Sequence, residues 1–163
     1  MKEIEMIKTM FNMQKALDAA IYREHKTEYN RERTEMALLD EIGELTHELK
    51  PEWCWWKKNM KPVDRQKVLE ELVDCWHFGM SLDYHEMDEY RAEIIIKKVL
   101  VYGFKEELNI TRIKERVKQI MGTWAKTAAL IILTKDLGFT IKDVYNEYIR
   151  KNAVNYQRLQ EGY

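Results

Sequence analysis

Apolar side chains recur at steps of three and four residues along most of the chain. One such run covers residues 4–21, and a second covers residues 38–49 and stops before Pro51. This spacing places the apolar positions on one face of an α-helix, and the residue before a proline disfavours the α conformation. The pattern therefore predicts two amphipathic helices at the start of the chain.

Local end signals organise the rest of the sequence. Asp64 is an expected N-cap for a third helix, and a shorter helical stretch follows it. The apolar stripe over residues 110–131 predicts one long helix. Gly138 is expected to follow this helix in the C′ position. Thr140 and Asp143 have the spacing of a capping box for the last helix. We predict an all-α bundle of five to six helices, forming a single domain over residues 1–163.

Composition supports this interpretation. The chain has six glycines and two prolines in 163 residues, about 5%, against an average near 12%. Turns are therefore scarce, and the glycines are scattered rather than clustered. This argues against β-sandwiches, barrels and glycine-rich phosphate loops.

Charge and hydropathy exclude further classes. The 27 basic and 28 acidic residues leave a formal net charge of −1, so non-specific nucleic-acid binding is not expected. No apolar run approaches the roughly 20 residues needed to cross a bilayer. Cys54 and Cys75 form no metal-binding or disulfide pattern. We expect a cytoplasmic protein with neither nucleic acid nor membrane as a partner.

Two pairs of acids border the apolar stripes of consecutive predicted helices. Glu41 and Glu44 form one pair, and Glu71 and Asp74 form the other. The i, i+3 spacing puts both members of a pair on one helix face. Facing carboxylates need compensating charge, and an all-oxygen cluster suits Mg²⁺ or Mn²⁺. The alternative is a pair of solvated acidic faces without a metal.

A second metal interpretation uses the histidines. Glu44 with His47, and Asp74 with His77, have the spacing found in carboxylate-bridged di-iron bundles. Such bundles also need one glutamate from each of two other helices, and the first and last predicted helices offer none facing inward. For each histidine alone, a surface or hydrogen-bonded core position is the simpler interpretation.

Cations and aromatic residues complete the candidate chemistry. Lys151, Asn155 and Arg158 stack along one face of the last predicted helix, and we call these three residues the C-terminal comb. Such a stripe can bind an anion or can simply be solvated. The segment 53–58 holds three tryptophans and two lysines, which suit either a planar base or core packing. Acids for a metal, cations for phosphate and rings for a base together indicate a nucleotide site.

These motifs resemble a known family. The two acidic pairs are similar to the metal signature of the all-α NTP pyrophosphatases, which include the MazG-like proteins and the dimeric dUTPases. The resemblance to the dimeric dUTPases runs from residue 14 to the end, and rests on Trp53-x-x-Trp56-Lys57, Trp76-His77-Phe78 and Lys151-Asn152-x-x-Asn155-x-x-Arg158-x-x-x-Gly162-Tyr163. It implies a Mg²⁺-dependent homodimer that hydrolyses dUTP, and also dUDP, to dUMP and so limits uracil in DNA.

The resemblance also implies residue roles. Metal ligands are expected at Glu41, Glu44, Glu71 and Asp74, and Glu44 is further expected to polarise the attacking water. Phosphate contacts are expected from Lys57, Lys151, Asn155, Arg158 and Tyr163. A base and sugar pocket is expected at Gln14, Asp18, Trp56 and Phe78.

One residue departs from the family pattern. Better-known members carry asparagine where this chain has Asp18. An ionised aspartate only accepts hydrogen bonds, so it could accept the N3–H of uracil while Gln14 donates to a carbonyl. It could equally accept from the 4-amino group of cytosine. This leaves dCTP open as a substrate, beside the more distant alternatives of a di-iron bundle and a non-enzymatic helical interaction module.

Overall fold

Helices account for all regular secondary structure in residues 1–101 and 109–162, the part of the chain that this computed structural model describes. Seven α-helices follow one another there, with one short 3-10 turn at Lys50–Glu52. They are α1 (Glu3–Glu24), α2 (Arg31–Glu48), α3 (Arg65–Glu86), α4 (Glu89–Leu100), α5 (Ile110–Gly122), α6 (Lys126–Asp136) and α7 (Ile141–Gln160). The all-α prediction is confirmed, with one helix more than the upper number expected.

The predicted end signals are present where local sequence encodes them. The Asp64 carboxylate accepts from the backbone of the first turn of α3. Gly138 has a φ of +74° just beyond α6, a left-handed conformation that glycine adopts without steric cost. Thr140 and Asp143 form the reciprocal capping box at the start of α7. Each of these predictions is confirmed.

The prediction of a single helix over residues 110–131 is wrong, because the chain turns between α5 and α6. The buried Lys126 side chain reaches back across this turn. Its Nζ donates to the carbonyls of Ile120 and Met121 at 3.0 and 3.1 Å. These are among the last carbonyls of α5, which have no partner within their own helix. The lysine thus stabilises the end of α5.

A side chain from α3 starts the next helix. The buried carboxylate of Asp83 accepts from the backbone N–H groups of Lys126 and Thr127, each at 2.8 Å. These are the first amides of α6, which otherwise have no acceptor. Asp83 lies 43 residues before Lys126 in the chain, so the helix break depends on tertiary contact and is invisible to apolar spacing.

We expect Asp83→Ala to lower the free energy of unfolding by about 2–3 kcal/mol, because it leaves two buried N–H groups without an acceptor. Urea denaturation followed by circular dichroism measures this. The matched control is Asp64→Ala, which removes the exposed N-cap of α3 and should cost about 1 kcal/mol. Equal losses in the two variants would contradict a special role for Asp83.

Helix packing brings the polar faces of four helices together. The largest helix contacts join α2 to α3 and α1 to α7, and α3 also packs on α1, α6 and α7. Trp76 of α3 is fully buried, and its indole N–H donates to Thr134 of α6 at 3.1 Å. α3 therefore lies at the centre of the bundle, with the acids of α2 and the comb of α7 beside it.

None of the described helices is both long and apolar enough to cross a membrane.

Candidate active site

Three carboxylates meet where α2 packs on α3. Glu41 and Glu44 come from α2 and Glu71 from α3, and each offers an oxygen within 4.8 Å of the others. We call these three residues the acid cluster. Glu41 and Glu71 are half-buried, whereas Glu44 is exposed. The i, i+3 spacing on α2 thus gives the predicted result, with both glutamates facing the acid of the neighbouring helix.

The acid cluster carries negative charge that the protein only partly compensates. Burial, followed by repulsion from Asp74, Glu44 and Glu71, raises the pKa of Glu41 to about 7. Burial also raises the pKa of Glu71. Carboxylates in such an arrangement hold protons more tightly than usual, or else they bind a cation.

The donor set of the acid cluster fits a hard divalent cation. All the contributed atoms are carboxylate oxygens, and no histidine or cysteine joins the group within the described residues. Oxygen-only sites suit Mg²⁺ and Mn²⁺, whereas di-iron bundles of the kind considered above also use histidine. The geometry therefore favours an all-oxygen Mg²⁺ or Mn²⁺ site over a carboxylate-bridged di-iron site.

The fourth predicted ligand, Asp74, is paired with the first residue of the C-terminal comb. The Nζ of Lys151 donates to Asp74 Oδ2, and both side chains are partly buried. Burial raises the pKa of Asp74, and the charges of Lys151 and Arg158 act against this rise. Two comb residues therefore act electrostatically on an acid next to the cluster, and the third, Asn155, is half-buried between them on α7. Tyr163 lies outside the described residues.

Asp18 of α1 is buried and receives three hydrogen bonds. The Nε2 of Gln14 donates to its Oδ1 at 2.8 Å, and the hydroxyls of Ser81 and Tyr84 donate to its Oδ2 at 2.7 and 2.8 Å. Burial raises the pKa of Asp18, and the three hydrogen bonds partly offset that effect. This carboxylate is thus occupied by donors of the protein itself.

Gln14 extends the same network to α7. Its Oε1 accepts from the Tyr148 hydroxyl and lies 2.7 Å from Nδ1 of His77. The His77 and Tyr148 rings stack with centroids 4.1 Å apart. Burial lowers the pKa of His77 to about 3, so the imidazole is neutral near pH 7. We call this group the polar network; it comprises Gln14, Asp18, His77, Ser81, Tyr84 and Tyr148.

The segment of residues 53–58, which holds three tryptophans, is anchored to the end of α2. The indole N–H of Trp53 donates to the Thr46 carbonyl at 2.9 Å, and the Trp53 and Trp56 rings lie 5.7 Å apart. Trp56 and Lys57 are exposed, while Phe78 is half-buried against the core. Within the described residues, no hydrogen bond, ion pair or ring contact joins these last three residues to the acid cluster or the polar network. Their roles stay predictions.

Sequence reasoning missed several residues of this region. Ser81, Tyr84 and Tyr148 had no visible motif, although Ser81 shares a helix face with His77 at the i, i+4 spacing. Sequence reasoning also missed Glu48, whose negative charge adds to the effect of burial in raising the pKa of Glu71. It continues the face of Glu44 by one helical turn, and that spacing was the available signal.

Comparison with known proteins adds an independent finding. A family model described as dUTPase matches residues 6–163. No curated protein matches the chain. The matched span contains the acid cluster, the polar network and the C-terminal comb.

Proposed function

Since this chain belongs to the dUTPase family and is a dUTP diphosphatase, we propose that it depends on Mg²⁺ and converts both dUTP and dUDP to dUMP, with pyrophosphate released from dUTP. The observation that carries the proposal is the acid cluster of Glu41, Glu44 and Glu71, with the Asp74–Lys151 pair at its side. Acids and cations side by side are what a metal–polyphosphate substrate requires. By this chemistry the protein limits the uracil available for incorporation into DNA.

The acid cluster and Asp74 would hold the metal. A bound divalent cation supplies neutralisation of polyphosphate charge and activation of water. Mn²⁺ can take the same place, because all the ligands are oxygens. Asp74 is paired with the partly buried Lys151, so the charge of this acid is compensated by the lysine when no metal is bound and would be compensated by the metal when one is.

The exposed Glu44 is suited to proton transfer. It stands at the solvent side of the acid cluster, where an attacking water can reach its carboxylate. The half-buried Glu41 and Glu71 behind it are less accessible and are better placed as fixed ligands. We assign Glu44 the task of accepting the proton of the attacking water.

The comb is suited to the phosphates. Lys151 already lies beside the acids, and Arg158 acts electrostatically on the same aspartate. Cations in this position bind phosphate oxygens and stabilise the leaving group. We propose that Lys57, Asn155 and Tyr163 add further phosphate contacts.

The base and sugar would lie towards the polar network. His77 follows Asp74 by three residues on α3, so the network lies about one helical turn from the acids. Gln14 and Asp18 belong to that network, and Trp56 and Phe78 are proposed to cover the base and sugar. This order places phosphates at the acid cluster and the base at the network.

We also propose that the protein is a homodimer. The outer face of α2 exposes Met36 and Leu39, which line a shallow groove with Ala37, Asp40 and Gly43. Apolar side chains grouped on one helix face are typical of surfaces that another chain covers. This face adjoins the glutamates of α2, so association of two chains would also shield the site.

Phosphate and pyrophosphate release across nucleotides tests the proposal. With Mg²⁺ or Mn²⁺ we expect rapid hydrolysis of dUTP and dUDP, and with EDTA no hydrolysis. Glu115→Gln, which changes an exposed acid of α5 outside the site, serves as the matched control and should behave like the wild type. Equal rates on every dNTP would contradict uracil selectivity, and undiminished rates in EDTA would contradict the metal.

The second candidate function is hydrolysis of dCTP, which Asp18 favours as a carboxylate that can accept from an amino group. Preference for dCTP in the same assay would support it. The three donors that already occupy this carboxylate weigh against direct contact with either base.

A further inference from the structure

Four lysines line an open cleft between the end of α2 and the start of α3. They are Lys50, Lys57, Lys61 and Lys67, and we call this cavity the lysine cleft. Its volume is about 710 Å³, which is in the range of cavities that hold small ligands. The lysines come from the 3-10 turn, the loop after it and the first turn of α3, so no periodic spacing in the sequence connects them.

The lysine cleft has more positive than negative charge. The acids that line it are Glu48 and Asp64, two against four lysines. The Asp64 carboxylate is already engaged, because its Oδ1 accepts from the backbone N–H groups of Gln66 and Lys67. None of the four lysines forms an ion pair with another described residue. An anion that entered the cleft would therefore meet ammonium groups that are not already paired with an acid of the described chain.

The backbone around the lysine cleft is held in place. The chain has only two prolines, Pro51 and Pro62, and both line the cleft; the proline ring fixes φ. The hydrogen bond from Trp53 to the Thr46 carbonyl ties the loop to α2. The Nζ of Lys50 lies 5.9 Å from the centroid of the Trp53 ring, a cation–π contact that restrains this lysine. A restrained site loses less entropy when it binds a ligand.

The lysine cleft adjoins the acid cluster on the side away from the polar network. Glu48 lies one helical turn after Glu44 on α2, and Lys67 lies one turn before Glu71 on α3. His77 lies on the other side of Glu71, six residues further along α3. A nucleotide with its base at the polar network and its phosphates at the acid cluster would therefore have the cleft beyond its terminal phosphates.

We propose that the lysine cleft is a second anion site, separate from the C-terminal comb, and that it takes up the pyrophosphate released from dUTP. Pyrophosphate carries several negative charges, and ammonium groups from different sides of a cleft can bind its oxygens. The comb is less available when no metal is bound, because Lys151 is paired with Asp74. The inference rests on the proposed function, because it names where a product of that reaction goes.

Calorimetry with inorganic pyrophosphate in EDTA tests the lysine cleft without metal or turnover. We expect the wild type to bind with a Kd below about 1 mM at low ionic strength, and more weakly as NaCl is added. Lys61→Gln combined with Lys67→Gln, which we call the cleft variant, should bind at least about 10-fold more weakly, because two of the four cations are lost. Both side chains are exposed, so circular dichroism should show unchanged helix content.

Two further variants locate the bound anion. Lys97→Gln combined with Lys98→Gln removes the same charge from exposed positions on α4 and is the matched control. Its Kd for pyrophosphate should stay within about threefold of the wild-type value, because charges far from the bound anion are screened. Arg158→Gln changes the comb, and in EDTA its Kd should stay within the same limit.

Product inhibition tests the assignment to pyrophosphate in working enzyme. Pyrophosphate should inhibit hydrolysis of dUTP by the wild type in the presence of Mg²⁺. In the cleft variant the inhibition constant should rise at least about threefold, while KM for dUTP stays within about threefold of the wild-type value. This difference is expected because the substituted lysines bind the product and are outside the proposed metal and comb residues.

The inference is overturned if the wild type does not bind pyrophosphate in EDTA, or if the cleft variant binds it as tightly as the wild type. An equal loss in the α4 control would show that overall charge explains the binding, and loss in Arg158→Gln would place the anion at the comb. An unchanged inhibition constant in the cleft variant would overturn the assignment to the product. Failure of the proposed function is a separate result, in which the wild type binds pyrophosphate in EDTA but does not hydrolyse dUTP with Mg²⁺.

Discussion

Glu44→Gln is expected to lower kcat for dUTP by at least about 10²-fold while leaving the helix content unchanged. Glutamine keeps the size of the side chain but cannot take up a proton, and it is a poorer ligand for Mg²⁺. Since Glu44 is exposed, the substitution removes no core contact. Steady-state hydrolysis with circular dichroism of the same samples measures both expectations.

The dependence of Glu44→Gln on Mg²⁺ distinguishes two contributions of this carboxylate. If Glu44 acted only as a ligand, a large excess of Mg²⁺ would restore much of the rate. We expect the loss to persist at saturating Mg²⁺, because proton acceptance is also lost. Glu115→Gln on α5 is the matched control and should keep the normal rate. A normal rate in Glu44→Gln itself would show that the proposed role is wrong.

The parts of the fold that the sequence predicts are those with local causes. Asp64 begins α3, and Thr140 with Asp143 begins α7, because a side chain caps amides two or three residues away. The break between α5 and α6 could not be predicted in this way. It depends on Asp83 of α3 meeting the backbone of Lys126, and apolar spacing carries no information on such contacts.

The same distinction between local causes and tertiary contacts applies to the residues of the candidate site. Glu41 and Glu44 were found from their i, i+3 spacing, and packing of α2 on α3 was enough to bring Glu71 to them. The surroundings of Asp18 were not predictable, because Ser81 and Tyr84 lie more than 60 residues further along the chain. Sequence identified the residue, and only the fold shows that its oxygens already have partners.

Glu41→Gln is expected to have opposite effects on stability and on activity. The pKa of Glu41 rises from an ordinary value near 4.5 to about 7, first through burial and then through repulsion by Asp74, Glu44 and Glu71. The folded protein therefore binds this proton more tightly than the unfolded chain does. Its contribution to stability is complete below about pH 4.5 and is lost as the pH rises through 7.

In EDTA, the wild type should accordingly lose about 1–2 kcal/mol of unfolding free energy between about pH 5 and pH 8 from this group, after allowance for solvent screening of a half-buried carboxylate. Glu41→Gln has no charge to develop at this position, so it should lose less and be the more stable protein near pH 8. Mg²⁺ should reverse the order, since the ion stabilises the wild-type cluster, and turnover of the variant should fall with its metal affinity. Urea unfolding at both pH values, with Glu115→Gln as control, measures the difference. An equal pH dependence in wild type and variant would mean that Glu41 does not carry the excess negative charge. There would then be no electrostatic argument for a metal at the acid cluster.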